Sequence, residues 1–547
     1  MVTVDPNLLD DAWLPVSLAG EIRNVSLRSA AAQAHRIDGL AIVPPTRKVA
    51  VFRQTLLPLV LDALGAPGNR SEWGDRFDRG RFDSDAIDNY LELHRDRFNL
   101  FDSVAPFAQV AALRTANDEV KPSSLLVPSE PTGNNVPLFG SRTASHGLRL
   151  SWMEAAIWLL HAHCWDTAAI KSGAVGDPRV KGGKTTGNRT GPLGSLGIVI
   201  PTGRNLFETI LLNLPIAEPD PRLGADASAD RPQWRRPPAE AEWSERPADG
   251  ILDLLTWQAR RIRLVPTIDE KTGETVVEHV ILAAGDRLVS TPDYEPHTTW
   301  ILSSPNGGAG VVLRPRRHRS GRAAWRGLDA LLGKASSVGD TLVRTTILLG
   351  QIGALQSEGA LEDSYPLGVE IVGTEYGNQS AVVENVIHDA IPMPVRALSG
   401  DVDVADAIEE VASDTDALAR AVDLLEGDLR RAQGGHLVPW DKGERASARL
   451  IQILDDPARR VLAILRDRPD QIEEVLYAWR SSARRSALDV ADEVLSAVPP
   501  VAVVGRKTKE GKLYRAAVAE LRFGAELRKL WPGMEHDVDL DDERKER

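Results

Sequence analysis

The chain has 547 residues, of which 42% are hydrophobic and 26% charged, the balance of a soluble globular protein with room for roughly two to four domains. Its net charge of -13 argues against nucleic-acid binding through overall basicity, because such binding depends on neutralising phosphates. The single cysteine, Cys164, excludes an internal disulfide and cysteine-rich zinc or iron–sulfur sites.

No run approaches the roughly 18 uncharged apolar residues that a membrane span needs. The N-terminus carries Asp5, Asp10 and Asp11 where a signal peptide would carry basic residues and an apolar core. We therefore expect a cytoplasmic protein without a membrane partner.

Residues 1–398 predict a large, irregular mixed α/β domain, so the fold class is α+β. Helical and strand-like runs follow one another without regular alternation, which argues against doubly wound and barrel folds. The helical patterns cover residues 48–64, 84–98, 151–165, 205–214 and 340–356, and the strand-like runs cover 251–264, 275–289 and 369–387. The proline-rich segment 215–249 is typical of a long insertion, which we expect Trp234 and Trp243 to pin to the domain.

Residues 399–532 predict a C-terminal four-helix bundle. Apolar residues recur there at helical spacing in four stretches, 402–429, 450–465, 472–498 and 513–530. Glycines and prolines between them mark short connections, which set neighbouring helices antiparallel. The remaining residues, 533–547, form an acidic tail.

Motifs for catalysis or metal binding fail on spacing. The Gly-Lys-Thr run at 183–185 is similar to the end of a P-loop, but Pro178 stands where that motif needs glycine. His161, His163 and Cys164 are close in sequence, but only His161 and Cys164 share a helix face. No paired carboxylates suggest general acid and base. We expect a non-catalytic protein with no metal and no cofactor.

A glycine-rich loop spans residues 171–197. It holds eight glycines and several basic residues with one acid, Asp177. Such a loop can bring backbone N–H groups and ammonium groups against phosphates or into a narrow groove. The alternative is an ordinary surface loop.

A β-hairpin with a polar tip is predicted over residues 369–387. Its two β-prone runs are joined by Gly377-Asn378, a turn signal. The amides of Asn378 and Gln379 each offer a donor and an acceptor, and could replace base-edge hydrogen bonds between DNA strands. Alone, this pattern would indicate an ordinary hairpin.

A run of arginines lies within residues 314–326, a segment without acids. It either contacts a polyanion or forms a solvated junction between a strand and a helix. Its members are Arg314, Arg316, Arg317, Arg319, Arg322 and Arg326.

Taken in chain order, these features resemble the CasA family, the large subunit of the type I-E CRISPR surveillance complex Cascade. Short motifs over most of the chain carry the resemblance together with the glycine loop, the hairpin and the bundle. They are Leu-Leu-Asp-Asp-Ala-Trp-Leu-Pro-Val at 8–16, Ile-Arg-Asn-Val-Ser-Leu at 22–27, Pro-Phe-Ala-Gln at 106–109, Thr-Ile-Leu-Leu-Asn at 209–213 and Trp257-Gln258.

The resemblance implies a subunit that recognises the protospacer-adjacent motif (PAM) in double-stranded DNA and wedges the duplex open to start R-loop formation. In guided effectors the protein recognises the PAM and base pairing recognises the rest. The implied partners are target DNA, guide RNA, the backbone, 5′-handle-binding and small subunits of Cascade, and a helicase-nuclease that the subunit helps to recruit.

The resemblance also assigns residues. The wedge would be Gln379, flanked by Asn378 and Ser380. The glycine loop at the PAM would use Gly182, Gly183, Lys184 and Gly187, and the loop docking to guide RNA and the complex would use Asn135, Leu138 and Phe139. The arginine run, rather than the resemblance, supplies possible contacts to the DNA backbone: Arg314, Arg316, Arg317, Arg319 and Arg322. A family lysine near the PAM has no clear counterpart, and Arg287 or Lys271 could replace it.

Two other functions stay open on sequence. One is a protein-only scaffold or adaptor, in which the glycine loop and hairpin contact proteins. The other is an unrecognised hydrolase that uses His161 or His163. DNA binding that depends on the PAM would separate the CasA-like function from both of these alternatives.

Overall fold

The computed structural model describes residues 5–130, 147–218, 220, 229–303, 312–333, 342–435, 445–507 and 511–532. Two compact units form the chain. The first contains Met1–Arg322, Asp329–Glu362 and Leu367–Ala390, and the second contains Ala323–Leu328, Asp363–Pro366 and Ile391–Arg547.

The helices lie throughout the chain, and the long ones are concentrated near its C-terminal end. They are α1 (Leu27–Ala32), α2 (Pro45–Val51), α3 (Leu57–Leu64), α4 (Arg70–Asp78), α5 (Ser84–His94), α6 (Trp152–Trp165), α7 (Leu206–Leu212), α8 (Ile251–Leu255), α9 (Leu328–Leu332), α10 (Ile347–Ser357), α11 (Val395–Leu398), α12 (Val402–Ala432), α13 (Ala446–Asp467), α14 (Ile472–Ser496), α15 (Pro500–Val504) and α16 (Ala516–Leu530). A π-helical turn, Phe52–Leu56, joins α2 to α3.

The strands are mostly short. They are β1 (Leu14–Leu18), β2 (Glu21–Val25), β3 (Gly39–Leu40), β4 (Lys121–Pro122), β5 (Leu150–Ser151), β6 (Lys171–Ser172), β7 (Lys184–Thr185), β8 (Ile198–Thr202), β9 (Glu245–Arg246), β10 (Arg260–Ile268), β11 (Thr275–Ala284), β12 (Arg287–Leu288), β13 (Trp300–Ser303), β14 (Val312–Pro315), β15 (Leu342–Arg344), β16 (Gly368–Tyr376), β17 (Val383–Pro392), β18 (Arg506–Lys507) and β19 (Leu513–Tyr514).

Two sheets of the first unit carry the loops of interest. In one, the long hairpin β10–β11 pairs with β6 through Ala283 and Ser172, and β6 pairs with β7. In the other, the strand order is β17-β16-β8, with β16 antiparallel to β8 from Gly368↔Thr202 to Val372↔Ile198. The glycine loop therefore extends from the first sheet and the polar hairpin from the second.

Helix α6 is the buried centre of the first unit. It starts with a capping box, in which Ser151 accepts from the Glu154 N–H and the Glu154 carboxylate accepts from the Ser151 N–H. Every residue from Ala155 to Trp165 is buried, so the helix contacts core on all sides. Its C-terminal end leads directly into the segment from which the glycine loop begins.

The second unit is mainly helical. The long helices α12, α13, α14 and α16 bury an apolar stripe at helical spacing. Asp401 caps α12 by accepting from the N–H groups of Asp403 and Val404. Trp479 Nε1 donates to Asp414 Oδ2 at 3.2 Å and so links α14 to α12.

The predicted α+β fold with a helical C-terminal region is confirmed. Two predicted elements are wrong in part. Residues 251–255 form α8 rather than a strand, because a short apolar run does not distinguish the two. The helix predicted from residue 340 begins at Ile347, after β15. The domain boundary at residues 398 and 399 stays a prediction, and the tail 533–547 lies outside the described residues.

Candidate nucleic-acid interface

The tip of the β16–β17 hairpin exposes two amide side chains, those of Asn378 and Gln379. A tight turn forms the tip, in which the Gly377 N–H donates to the Val382 carbonyl at 2.9 Å and the Ser380 N–H donates to the Gly377 carbonyl at 2.8 Å. Neither amide side chain is hydrogen-bonded within the described part of the chain. Both are therefore available to a ligand.

The tip has a strained backbone. Gln379 and Ser380 have φ values of 53° and 54°, the left-handed region that costs a residue other than glycine roughly 1–2 kcal/mol. Such strain persists only where the surroundings hold it in place. Here the Ser380 carbonyl accepts from the Ala168 N–H at 2.8 Å, and the Tyr376 hydroxyl donates to the Trp165 carbonyl at 2.6 Å. The tip is thus fixed to the chain that follows α6.

The glycine loop contains a second tight turn. Lys181 and Lys184 exchange backbone hydrogen bonds at 2.9 and 3.2 Å, and Gly182 and Gly183 between them have φ values of 56° and 71°. Two consecutive left-handed residues define a type I′ turn, which glycine adopts without strain. This hairpin geometry differs from the strand, loop and helix of a P-loop.

One side of the glycine turn is open and the other is tightly packed. A Cβ on Gly182, Gly183 or Gly187 would meet no atom within 4 Å, and these residues are exposed. A Cβ on Gly173 would lie 2.5 Å from Val180 Cγ1 and 2.8 Å from the carbonyl carbon of Gly183. The turn therefore presents bare backbone outward, and Gly173 permits its close packing inward.

A buried cluster of charges supports both turns. Asp166 Oδ2 accepts from Lys171 Nζ at 2.7 Å and from Arg260 Nε. Arg260 Nη2 also donates to the carbonyls of Thr167 and Arg189 at 2.9 and 2.8 Å. Burial alone would raise the pKa of Asp166, but the two cations lower it to about 2. The ionised carboxylate therefore fixes residues 166–171, which hold the hairpin tip, and its partner Arg260 holds the glycine loop at Arg189.

The proline-rich insertion forms a wall beside this loop. Trp234 and Trp243 are both buried. Trp243 Nε1 donates to Asp177 Oδ2 at 3.0 Å, and Ala241 lies 3.7 Å from the position that a Cβ on Gly176 would occupy. The insertion is thus part of the candidate site.

The arginine run is divided among different contacts. Arg316 pairs with Asp329 at 3.6 Å and Arg326 with Asp416 at 2.6 Å, while Arg317 Nε donates to the Ser195 carbonyl at 3.2 Å. Of the five arginines assigned to the DNA backbone, Arg314, Arg317 and Arg319 are exposed, and Arg316 and Arg322 are partly buried. The run does not form one stripe of unpaired cations.

The two candidates for the family lysine lie apart. Lys271 is in the turn between β10 and β11, where its N–H donates to Asp269 Oδ1 at 2.7 Å. At about 3.3 Å per residue, β11 places Thr275, beside that turn, about 26 Å from Ala283, which pairs with β6. Arg287 instead lies over the Trp243 ring. Arg287 is therefore the candidate beside the glycine loop.

The remaining predicted sites are core residues or lie outside the described part of the chain. His161 bonds Thr46 at 3.2 Å, His163 bonds the Ala108 carbonyl at 2.9 Å, and Cys164 accepts from Gln54 at 3.0 Å. Burial lowers the pKa of His161 to about 3 and of His163 to about 4. The docking residues Asn135, Leu138 and Phe139 lie outside the described residues. Among those described, no helix has the length and apolarity to span a membrane.

Comparison with known proteins identifies the family. The model of the CRISPR-associated protein Cse1 family matches residues 7–490. The chain belongs to the Cse1 family. CasA/Cse1 of Thermus thermophilus is 30% identical over 403 residues, 72% of each chain. The crystal structure of Thermobifida fusca Cse1 has 32% identity and a TM-score of 0.84, covering 96% of this chain and 98% of that one.

A chain of a CRISPR RNA-guided surveillance complex also has the Cse1 fold. It is 18% identical with a TM-score of 0.68, over 90% of this chain and 99% of its own, and this likeness shows the fold alone. The recognition of the chain as a Cse1, or CasA, large subunit of type I-E Cascade is confirmed.

Sequence reasoning missed the charge cluster that supports the Cse1 turns. Lys171, the first residue of the glycine loop, is 5% exposed. It pairs with Asp166, in the segment after α6, and Asp166 also pairs with Arg260, the first residue of β10. No local spacing relates these three positions. The sequence predicted that Trp243 packs against the domain, but its contact with Asp177 depends on the tertiary fold.

Proposed function

We propose that this Cse1 subunit recognises the PAM in double-stranded DNA and wedges the duplex open to begin R-loop formation. The observation that carries the proposal is the exposed amide of Gln379 on a strained hairpin tip. The backbone of this tip is hydrogen-bonded to residues 166–171, the same segment that anchors the glycine turn. A rigid polar tip is suited to separating the strands, and the bare backbone of the glycine turn is suited to contacting the groove next to them.

The glycine turn supplies the groove contact. The minor groove is about 6 Å wide and presents a degenerate pattern of acceptors, so a turn without side chains on its open face can enter it. Gly182 and Gly183 offer backbone N–H groups that have no partner among the described residues. Lys181 and Lys184 flank them and are exposed, so they can approach the phosphates on either side.

The hairpin tip supplies the wedge. Unstacking a base step costs a few kcal/mol, so an inserted element must not deform under that load. Gln379 meets this requirement because its neighbours Ser380 and Tyr376 are hydrogen-bonded to the body of the unit. Its amide can donate and accept, and so replace a lost base-edge hydrogen bond.

In this proposal the subunit is non-catalytic and works within an assembly with guide RNA and the other Cascade subunits. A chain of the same fold belongs to a CRISPR RNA-guided surveillance complex, which supports the assembly. The bundle, residues 399–532, would support the complex and the displaced strand, and the subunit would help to recruit the helicase-nuclease. The net charge of -13 is compatible with DNA binding if the whole assembly supplies the affinity.

The test replaces the wedge amide. Gln379→Ala, in the complex assembled with guide RNA, should slow R-loop formation about ten-fold, equivalent to about 1.4 kcal/mol of activation free energy, while the protein stays folded. Gln33→Ala, which removes an exposed amide elsewhere, is the matched control. Equal rates for wild type and Gln379→Ala would refute the wedge and favour a scaffold without DNA readout.

A further inference from the structure

Two arginines from separate parts of the chain stack on one tryptophan ring. The guanidinium carbons of Arg179, in the glycine loop, and Arg287, in β12, lie 4.2 and 4.3 Å from the centroid of the Trp243 ring. Trp243 is 4% exposed and is held by its bond to Asp177. Stacking on a fixed ring limits the conformations of both guanidinium groups.

The hydrogen-bonding capacity of these two guanidinium groups is unused. Neither Arg179 nor Arg287 donates a side-chain hydrogen bond within the described part of the chain. The two carboxylates beside the pair have other partners. Asp177, 3.9 Å from Arg179, accepts from Trp243, and Glu245, which attracts Arg287, is paired with Arg189 at 2.8 Å. Their N–H donors therefore remain available to an external acceptor.

Further positive charge surrounds the pair. Arg189 lies beside Arg287, since it donates to the Leu288 carbonyl at 2.8 Å, and its charge is paired with Glu245 at 2.8 Å. Burial lowers the pKa of Arg287, and repulsion from Arg189, Arg179 and Arg260 lowers it further, against the attraction of Glu245. This crowding of like charges is relieved when an anion binds.

We propose that Arg179 and Arg287, stacked on Trp243, form a binding site for phosphates of the DNA backbone beside the glycine turn. The inference rests on the proposed function, because it assigns phosphate contacts to the duplex whose flank that turn would recognise. Guanidinium groups bind phosphate oxygens through two parallel N–H donors. Phosphate contacts position the duplex and carry no sequence information.

The site explains how one loop can serve two purposes. The turn at residues 181–184 offers backbone to a groove, and Arg179, two residues earlier, offers charge to the strand that borders the groove. The proline-rich insertion contributes Trp243, which holds both arginines in place. The insertion therefore has a role in DNA binding although it supplies no cation to the pair.

The test measures duplex binding by the full chain assembled with guide RNA and the other subunits. The double variant Arg179→Gln/Arg287→Gln should weaken binding to all duplexes alike, whatever the flank. The slope of log affinity against log salt should become shallower by about 1.8, since each lost phosphate contact removes about 0.9. The ratio of wild-type to variant affinity should therefore fall about 12-fold as the salt concentration rises from 50 to 200 mM.

Two control variants separate charge from folding. Arg179→Lys/Arg287→Lys keeps both charges and should retain the salt slope. Arg23→Gln/Arg70→Gln removes the same number of charges from exposed ion pairs elsewhere and should leave affinity and slope unchanged. Thermal melting of each variant establishes that it is folded.

An unchanged salt slope for the glutamine variant would overturn the phosphate site. A loss confined to particular flanks would also overturn it, because that result assigns base contacts to these arginines. If wild type itself ignores the flank, the PAM proposal fails, while a shallower slope for the variant would still support phosphate binding. The two failures are therefore distinguishable.

Discussion

Two turns in this Cse1 subunit adopt the same left-handed backbone with different residues. The glycine turn uses Gly182 and Gly183 at φ values of 56° and 71°, and the hairpin tip uses Gln379 and Ser380 at 53° and 54°. Glycine enters this region freely, while the residues of the tip incur roughly 1–2 kcal/mol each. The glycine turn therefore exposes backbone N–H groups without side chains, whereas the hairpin tip exposes polar side chains.

The difference shows what each turn requires of its surroundings. The strained tip needs the hydrogen bonds from Ala168 to Ser380 and from Tyr376 to Trp165. The glycine turn needs the room that Gly173 leaves behind it. Both depend on residues 166–171, and the predictions below act first on that shared support and then on each turn alone.

The largest effect is expected from Asp166→Asn. Loss of the carboxylate charge leaves Lys171 and Arg260 buried without a counter-ion, and breaking a buried ion pair costs about 3–5 kcal/mol. Denaturant unfolding should show that loss, and hydrogen exchange should rise in both turns together. Glu245→Gln removes a carboxylate from an exposed pair and should cost under about 1 kcal/mol. A change in only one turn would contradict a shared support.

An intermediate effect is expected from Gly173→Ala. The new Cβ would collide with Val180 and with the backbone of Gly183, and overpacking of this kind costs about 1–3 kcal/mol. Gly182→Ala meets open space and adds only the strain of a positive φ, about 1 kcal/mol. The free energies of unfolding of the two variants test whether Gly173→Ala is the more destabilising. If Gly182→Ala is the more damaging, the open side of the turn is wrongly assigned.

The smallest effect on stability, and one of opposite sign, is expected from Gln379→Gly. Glycine relieves the strain at φ 53° and should stabilise the first unit by up to about 1 kcal/mol. The same change deletes the wedge amide, so R-loop formation should slow as in Gln379→Ala. A variant that is more stable and unwinds at the wild-type rate would show that the tip serves the fold alone.

The sequence predicted the regular parts of the molecule, the polar hairpin and the glycine-rich loop. The bundle helices follow from apolar spacing, because a 3.6-residue period is a local property. The hairpin around residue 378 follows from its turn residues and the glycine loop from its composition, which are also local. Helix α8 was missed since a five-residue segment with four apolar residues fits a short helix or a strand equally.

The support of the turns could not be predicted from the sequence. Asp166, Lys171 and Arg260 meet only because β10 and β11 bring distant segments to the end of α6. In the same way, the stacking of Arg179 and Arg287 on Trp243 joins three segments without a shared motif. The arginine run, conspicuous in the sequence, is divided by Asp329 and Asp416. Charge pairing is a tertiary property, and spacing does not reveal it.

The central claim is that this subunit supplies recognition of the base pairs beside the target. The direct test is a gel-shift series with the subunit alone, the guide-RNA complex lacking it, and the two combined, on duplexes that differ only in those flanking base pairs. The account predicts that the combined sample alone discriminates among the flanks. Equal binding of all flanks by the combined sample would contradict it.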